Sequence, residues 1–488
     1  MATPTFSFCN TDVKLPERFY AHGSPDKASD PKLITYNKPL AKELGLSLDS
    51  VGEQQLAEVF SGNQLPEGAE PIAQAYAGHQ FAHFVPQLGD GRALLIGELL
   101  DSNGKPWDIQ LKGSGKTPLS RRGDGKSSLG PVLREYIVSE AMYYLGVPTT
   151  RALAAITTGD QVYRETALPG AVFTRVAPSH IRVGTFQYFA HRDDRDGLKR
   201  LLNYAVNRHY PEIAEASNLA LAFLNKVITA QASLVAKWLE LGFIHGVMNT
   251  DNTAVGGFTI DYGPCAFMDE FDPGKVFSSI DRQGRYAYNN QPAIAHWNLA
   301  RLADSLVPLV DPLESKAIDL LETELATFTG QFESQWSMKM RRKLGLVTEE
   351  EKDIELIQLW FEYLQLESQD YTLSFRHLAD LIHSKTSTYG FAETTQLSHF
   401  LDLWNSRLDR QGVSLEEVKK QMNKTNPLFI PRNHQVERAI QQGLKGDYSI
   451  FFELNKVLEN PFDQQPDKKD YAGPPQPHEE VTQTFCGT

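Results

Sequence analysis

Read for the spacing of its apolar positions, the chain changes character twice. Up to residue 72, short helical stretches such as KPLAKELGL sit among Pro, Gly and charged residues, the pattern of an extension wrapped on a larger body. From 73 to 184 short β-rich segments dominate. RALLIGELL reads as a strand, and PWDIQLKGSG alternates apolar and polar with Trp107, Ile109 and Leu111 on one side. DSNGKP between them is rich in turn formers and fits a hairpin. SLGPVLREYIVSEAMYYLG predicts a helix, with Pro131 in its first turn and Gly146 and Pro148 at its end. AAITTGDQVYRE and GAVFTRVA return to strand character. From 185 to 463 the spacing is mostly helical, as in LNKVITAQASLVAKWLELG and EKDIELIQLWFEYLQLES. The tail, 464–488, is Pro-rich and polar and predicts a flexible segment without structure of its own. The expected fold class is α+β: a small β-rich lobe, a larger helical lobe and an extension at each end.

Composition narrows the function classes. With 488 residues, 41% hydrophobic and 22% charged, the chain fits a soluble globular protein of two or three domains or one bilobal unit. A net charge of -13 argues against nucleic acid as a partner. Three cysteines make no disulfide framework, which points to a reducing compartment. The start shows no basic region followed by an apolar core, and no run of 18 apolar residues is present. The expectation is a cytoplasmic monomer that engages neither membrane nor nucleic acid.

The chemistry concentrates in HGVMNTDNTAVGGFTIDYGP, residues 245–264. A protein kinase has His-Arg-Asp-x-x-x-x-Asn in its catalytic loop, followed by Asp-Phe-Gly, whose Asp carries magnesium. Here His245, Asn252 and Asp261-Tyr262-Gly263 keep that order, but Val247 stands where the kinase base should be. The other kinase positions can then be sought upstream. Gly89 and Gly91 in QLGDGRALLIG precede a strand, where a glycine turn lets backbone N–H groups approach phosphates. Lys112 ends the next strand, and Glu135 lies on the following helix, where it could aim that lysine. Singly, each also reads as a common turn, a solvated lysine or a solvated glutamate. Their order carries the kinase-like reading. Asn252 and Asp261 offer hard oxygen ligands suited to Mg²⁺ bridging phosphates.

Two rival motifs fail. GSGKT and GDGKSS resemble the end of a Walker A loop, but the glycine it requires upstream is replaced by Gln110 or Ser120. His79 and His83 could share a helix face as metal ligands, yet no adjacent Glu or third ligand supports them; core or surface histidines fit better. A basic, Gly-rich segment, GSGKTPLSRRGDGKSS, follows Lys112 where ordinary kinases have none. Its Lys116, Arg121, Arg122 and Lys126, with Arg175 and Arg182 further on, read either as salt-bridge partners or as phosphate ligands, which guanidinium forks bind bidentately.

These stretches resemble the selenoprotein O family of kinase-like protein adenylyltransferases, over nearly the whole chain. Its most specific pieces are YAGHQF, QLGDGRA, LKGSGKTPLSRRGDGKSSL, HGVMNTDN, IDYGPC, PRNH and Cys486, the position where some members carry selenocysteine. The resemblance implies a bilobal kinase-like fold and an ATP flipped relative to a kinase, so that AMP passes to Ser, Thr or Tyr hydroxyls of protein substrates. It implies that Gly89, Gly91, Arg92, Lys112, Asp124, Gly125, Arg175 and Arg182 hold the nucleotide, with Glu135 orienting Lys112. Asn252 and Asp261 would hold Mg²⁺ or Mn²⁺, and Asp251 would accept the proton; as a bare residue Asp251 also reads as a second metal ligand or a loop-shaping carboxylate. A flipped nucleotide needs a second cationic cradle for its β- and γ-phosphates, which the surplus cations offer, and it makes the loss at Val247 less costly. Cys265 and Cys486 could form a reversible redox pair or be unrelated thiols. The residues leave open an ordinary γ-phosphoryl kinase, UMP transfer from UTP, and a catalytically dead ATP-binding scaffold.

Overall fold

The computed structural model describes residues 5–384, 387 and 389–485. It is an α+β protein in which one large sheet precedes a mass of helices, an arrangement compatible with two lobes. The sheet has eight strands: β1 (Tyr20–His22), β2 (Lys32–Tyr36), β3 (Ile72–Gln74), β6 (Ala93–Leu100), β7 (Pro106–Lys112), β8 (Ser127–Ser128), β9 (Arg151–Tyr163) and β10 (Ala167–Ala177). Their order is β1-β3-β6-β7-β10-β9-β2, with β8 paired to β10, and the neighbours are antiparallel. Two short strands, β4 (Gly78–Gln80) and β5 (His83–Val85), form a separate hairpin.

Both faces of the sheet are covered, and the covers come from opposite ends of the chain. Helices α1 (Lys38–Glu43) and α2 (Glu53–Ser61) put Leu40, Leu56 and Phe60 against Ile96, Ile109, Leu111 and Val172 on one face. Helix α3 (Leu129–Tyr144) covers the other with Leu133 and Ile137, and is itself backed by Ile440, Phe451 and Leu454 from helices Asn433–Gly443 and Ser449–Leu458. Burial of this apolar surface, at roughly 25 cal/mol per Å², is what binds the termini to the sheet. The first 72 residues therefore do more than wrap the body, because they supply β1, β2, the start of β3 and one apolar layer.

The helical part follows: α4 (Val183–Ala190), α5 (Arg195–His209), α6 (Leu219–Leu241) and α7 (Gln291–Val310), then further helices to Leu458, around the largest hydrophobic cluster. Among the described residues α6 is the one helix long and apolar enough to cross a membrane, and its Leu224, Val227, Ile228 and Val235 lie buried in that cluster.

The tail corrects its expectation. Pro466–Tyr471 forms a 3₁₀ turn, and the Ala472 carbonyl accepts from Arg432 Nε at 2.8 Å. Thr484 is buried, pairs with Ser278, and donates to the Pro264 carbonyl at 2.6 Å. Single backbone contacts of this kind fix a polar, Pro-rich chain without an apolar run, so composition does not register them. Cys486 lies outside the described residues.

Candidate active site

Strand β7 explains how the sheet builds the site. Its apolar side, Ile109 and Leu111, faces the α1–α2 layer, yet the alternate residues Asp108, Gln110 and Lys112 are buried as well. Buried polar groups must be paired, and each of these is. Lys112 Nζ lies 2.5 Å from Glu135 Oε2 on α3 and 2.6 Å from Asp261 Oδ1. Gln110 Oε1 accepts from Arg175 Nη2 at 2.6 Å, while its Nε2 donates to Asp90 Oδ2 at 3.1 Å. Arg175 also reaches Glu135 Oε1 at 3.3 Å. Arg182 pairs with Asp90 Oδ1 at 3.4 Å and lies over the Tyr76 ring, 4.3 Å from its centroid. Asp108 takes Arg208 at 2.5 Å and His180 Nδ1 at 2.8 Å.

The result is a cleft of about 450 Å³ whose lining includes Gly91, Arg92, Lys112, Arg121, Arg175 and Arg182 on the sheet side and Val247, Asn249, Asp251, Asn252 and Asp261 on the loop side. Of the residues singled out from the sequence, Gly91, Arg92, Lys112, Arg175, Arg182, Asp251, Asn252 and Asp261 line this cleft. Glu135 stands behind Lys112. Gly89 is not in the lining; its positive φ of 75° and its packing against Leu119 shape the turn that presents Gly91. Asp124 pairs with Arg164 at 2.8 Å, and the Gly125 carbonyl accepts from Gly115 N, so both fold the basic loop rather than face the cleft. His79 and His83 sit on the β4–β5 hairpin, not on a helix; His79 Nδ1 is 2.8 Å from Gln187 Nε2, and His83 is exposed.

The catalytic-loop side is held by a different logic. His245 is buried, its Nε2 3.0 Å from the Ile260 carbonyl, and the Val247 N–H donates to its Nδ1 at 3.3 Å. His245 therefore ties the loop to the Asp261 segment. Asp261 itself adopts a left-handed φ of 69°, rare for a non-glycine residue and typical of strained functional positions. Burial works against its charge, but Lys112, Arg92 and Arg175 hold its carboxyl far below the usual carboxylate range. Burial instead pushes Asp251 up to about 6, against the hydrogen bond from Gln80 and the charge of Arg182. The loop side thus carries a permanent carboxylate at Asp261 and, at Asp251, a carboxyl raised to about 6.

The residues present fit a divalent cation. Asn252 Nδ2 donates to the Val247 carbonyl at 3.1 Å, leaving Oδ1 as an acceptor. Asp251 Oδ1 is buried with no hydrogen-bond partner among the described residues. With the Asp261 carboxylate these are hard oxygen donors, the set that Mg²⁺ and Mn²⁺ prefer. A second acidic group, Asp12, Glu98 and Asp108, is also close enough to share an ion, but Arg208 already sits against Glu98 and Asp108 at 2.6 and 2.5 Å.

Sequence reasoning misses Asp90, Gln110, Tyr76 and Gln80. Asp90 stands between the two glycines of QLGDGRA, and Gln110 alternates with Lys112 on β7, so a signal is present but carries no charge pattern of its own.

A cleft lined by four arginines and a lysine, facing a carboxylate-rich loop, suits a polyphosphate nucleotide and transfer at one of its phosphates. That class is met by the comparison with known proteins. A family model described as Protein adenylyltransferase SelO matches residues 5–459, and the chain belongs to this family of enzymes. Relatives named Protein nucleotidyltransferase YdiU include that of Rhizobium etli (strain CIAT 652), 53% identical over 488 residues, covering 99% of this chain and 97% of the relative. The relative in Rhizobium rhizogenes (strain K84 / ATCC BAA-868) is 54% identical over 493 residues, covering 100% and 98%. That of Bradyrhizobium sp. (strain ORS 278) is 54% identical over 490 residues and covers both chains in full, 100% each.

Proposed function

We propose that this chain is a protein adenylyltransferase with a bilobal, kinase-like architecture (73–184 and 185–463) that moves AMP from ATP to Ser, Thr or Tyr hydroxyls of protein substrates. The observation that carries the reading is the distribution of charge. The base position of a kinase is Val247, while Arg92, Arg121, Arg175 and Arg182 gather around the cleft beyond what a single transferred γ-phosphate requires. A nucleotide seated with its α-phosphate toward Asp261 and Asn252 places its β- and γ-phosphates among those arginines, where a leaving pyrophosphate is stabilised as a unit.

In the reaction, the acceptor oxygen forms a bond to the α-phosphorus as the bond from that phosphorus to the bridging oxygen of the β-phosphate breaks. Pyrophosphate leaves with the bonding electrons. Asp251 takes the hydroxyl proton, and a carboxyl poised near 6 is suited to do so at neutral pH. Lys112, aimed by Glu135, holds phosphate oxygens. Asn252 and Asp261 would hold Mg²⁺ or Mn²⁺, which supplies charge neutralisation at the α-phosphate. Gly91 lets the chain approach the nucleotide closely at the cleft wall, its own N–H donating to the Gly89 carbonyl at 2.8 Å, and Gly89, Asp124 and Gly125 hold the nucleotide through the loops they shape.

A redox element accompanies this reading: a reversible Cys265–Cys486 bond that restrains the tail. It is supported by the Thr484–Pro264 hydrogen bond, which brings the chain next to Cys265 just before Cys486. Cys265 is buried, and burial pushes its thiol up to about 12, so oxidation requires the segment to loosen first. Peptide mapping of oxidised protein should find the two cysteines linked; two free thiols would discard the element. The transfer reading is tested by mass spectrometry of proteins incubated with the chain, Mn²⁺ or Mg²⁺, and ATP or UTP. The expected product carries AMP on a hydroxyl side chain; a UMP adduct with UTP alone would change the donor, and a phosphate adduct would restore a kinase.

A further inference from the structure

The β4–β5 hairpin packs directly on the catalytic loop, yet none of the proposed phosphate and metal ligands lies on it. Three successive loop residues are each tied to it. Asn249 Oδ1 accepts from the Phe81 N–H at 3.1 Å, Thr250 Oγ1 from the His79 N–H at 2.6 Å, and Asp251 Oδ2 from Gln80 Nε2 at 3.2 Å. Thr250 in turn donates to Gln187 at 2.7 Å, and Asn249 also accepts from Tyr286 at 2.6 Å. The register is therefore pinned from both sides.

The approach is too close for ordinary side chains. A Cβ on Gly78 would stand 2.7 Å from Asp251 Oδ1, and one on Gly184 would collide with the Ala77 carbonyl. The two turn residues, Phe81 and Ala82, both adopt left-handed backbone, φ 49° and 65°, a conformation that two-residue hairpins reserve for Gly, Asn or Asp. Such strain persists only where the surroundings enforce it. Here the enforcement is the hydrogen bond from Phe81 to Asn249 and the packing of the Phe81 ring edge-on against Tyr286.

Asp251 has no other side-chain donor among the described residues, and its Oδ1 lies buried against Gly78. Beside the carboxylate's own backbone N–H, Gln80 is thus the side chain among the described residues that fixes its rotation. Gln80 itself lines the cleft between the hairpin and the loop. We propose that Gln80 is a positioning residue: its amide clamps Asp251 Oδ2 so that the carboxylate is held in one orientation toward the acceptor, and the strained Phe81–Ala82 turn holds Gln80 in place. This rests on the adenylyltransferase reading for the identity of the group moved, but the clamp acts on the acceptor side whichever phosphate is transferred. The Gln80 amide is spent on Asp251 rather than on the sheet-side arginines or Lys112, so it should not govern nucleotide affinity.

The test is Gln80→Ala in the full-length chain, with His83→Ala, an exposed change on the same hairpin, as the control. Four quantities are read: kcat for protein labelling, KM for ATP, ATP affinity by calorimetry, and thermal stability. A carboxylate freed to rotate costs on the order of 10- to 100-fold in turnover. The expected result is that fall in kcat, with ATP affinity and melting temperature at the wild-type values and His83→Ala unaffected. Gln80→Asn, whose amide falls short of Asp251, should behave like Gln80→Ala. Unchanged kcat overturns the proposal, and so does a parallel loss of ATP affinity or stability, which would make Gln80 a structural residue. Comparing α- and γ-labelled ATP with the wild-type chain separates the two claims, since label from the γ-position contradicts adenylyl transfer while the ratio of Gln80→Ala to wild-type turnover still reports on the clamp.

Discussion

The two walls of the cleft are built on opposite plans. On the sheet wall buried charges are matched, Lys112 with Glu135 and Asp261, Arg175 with Glu135 and Gln110, and Arg182 with Asp90, and outside the cleft Arg208 holds Asp108 of β7 and Glu98 of β6 in the same way. On the loop wall Asn249 and Thr250 are engaged by the hairpin, Tyr286 and Gln187, but the next two residues are under-used, with Asp251 holding one side-chain donor and a bare oxygen, and Asn252 an open acceptor. Side chains paired in this way are held before anything binds, and pairs cut from the sheet leave buried charge behind. The free oxygens of those two residues contribute little to stability and keep their hydrogen-bonding capacity for the reactants. The difference teaches where a substitution should be felt: in stability on the sheet side, in turnover on the loop side.

Asp261, where the walls meet, should show the largest effect on turnover. Asp261→Ala removes the carboxylate proposed to face the transferred phosphate, and losing several kcal/mol of transition-state stabilisation corresponds to about 1000-fold in rate. The chain should remain folded, since Lys112 keeps Glu135. Steady-state labelling together with circular dichroism checks both halves of that statement, and near-normal turnover would remove Asp261 from the site.

Arg208→Ala should give the largest loss of stability. It strips the cation from Glu98 and Asp108, both buried, and breaking such a pair costs about 3–5 kcal/mol. Urea denaturation should show it. If the variant unfolds at the wild-type midpoint, the buried charge pairs of the sheet are not the stabilising ones and the contrast fails.

A pH series sharpens the contrast from another side. Burial pushes Asp12 up to about 7 and Asp108 to about 6, with the neighbouring carboxylates reinforcing the effect and Arg208 opposing it; Asp251 is raised to about 6 mainly by burial. Groups whose folded pKa exceeds the unfolded value hold extra protons in the native state, so their stabilisation is present below about pH 4 and is lost as pH rises toward 7. The cluster titrates as a unit. Stability should therefore decline across that window, and Asp12→Asn should flatten the decline. A curve that rises from pH 4 to 7 and is unchanged in Asp12→Asn would contradict these protonation states.

The smallest effect belongs to Asp124. Its partner Arg164 is part-exposed, and exposed pairs contribute less than about 1 kcal/mol. Asp124→Asn should barely move the melting temperature while loosening the basic loop, seen as faster backbone hydrogen exchange around 115–126.

Much of the sheet wall's framework is legible in the sequence, and its pairing is not. Strands β6, β7, β9 and β10 and helix α3 follow from spacing, as in RALLIGELL, PWDIQLK and the Pro131-to-Gly146 segment, while β1, β2, β3 and β8 do not. The Lys112–Glu135 pair follows from motif order. What escapes is whatever depends on long-range pairing. Strand β7 reads as an ordinary half-buried strand, but Asp108, Gln110 and Lys112 are the buried foundation of the sheet wall. The family resemblance puts Asp124 among the nucleotide ligands, and the sequence does not foretell its ion pair with Arg164. The tail reads as structureless because its anchors, the Ala472 carbonyl and Thr484, are single contacts that leave no pattern in composition.

The central claim is that the cationic wall receives the leaving pyrophosphate and the loop wall the acceptor. The most direct measurement uses ATP labelled in turn on the α- and γ-phosphate, with a protein substrate from a lysate, Mg²⁺ or Mn²⁺, and Lys112→Ala as the dead control. Protein-bound label from the α-position alone, absent in Lys112→Ala, is the result expected from Val247, Asp251 and the arginines together. Label from the γ-position would mean that the phosphates lie the other way round in the cleft, and label from neither would leave it a binding site without chemistry.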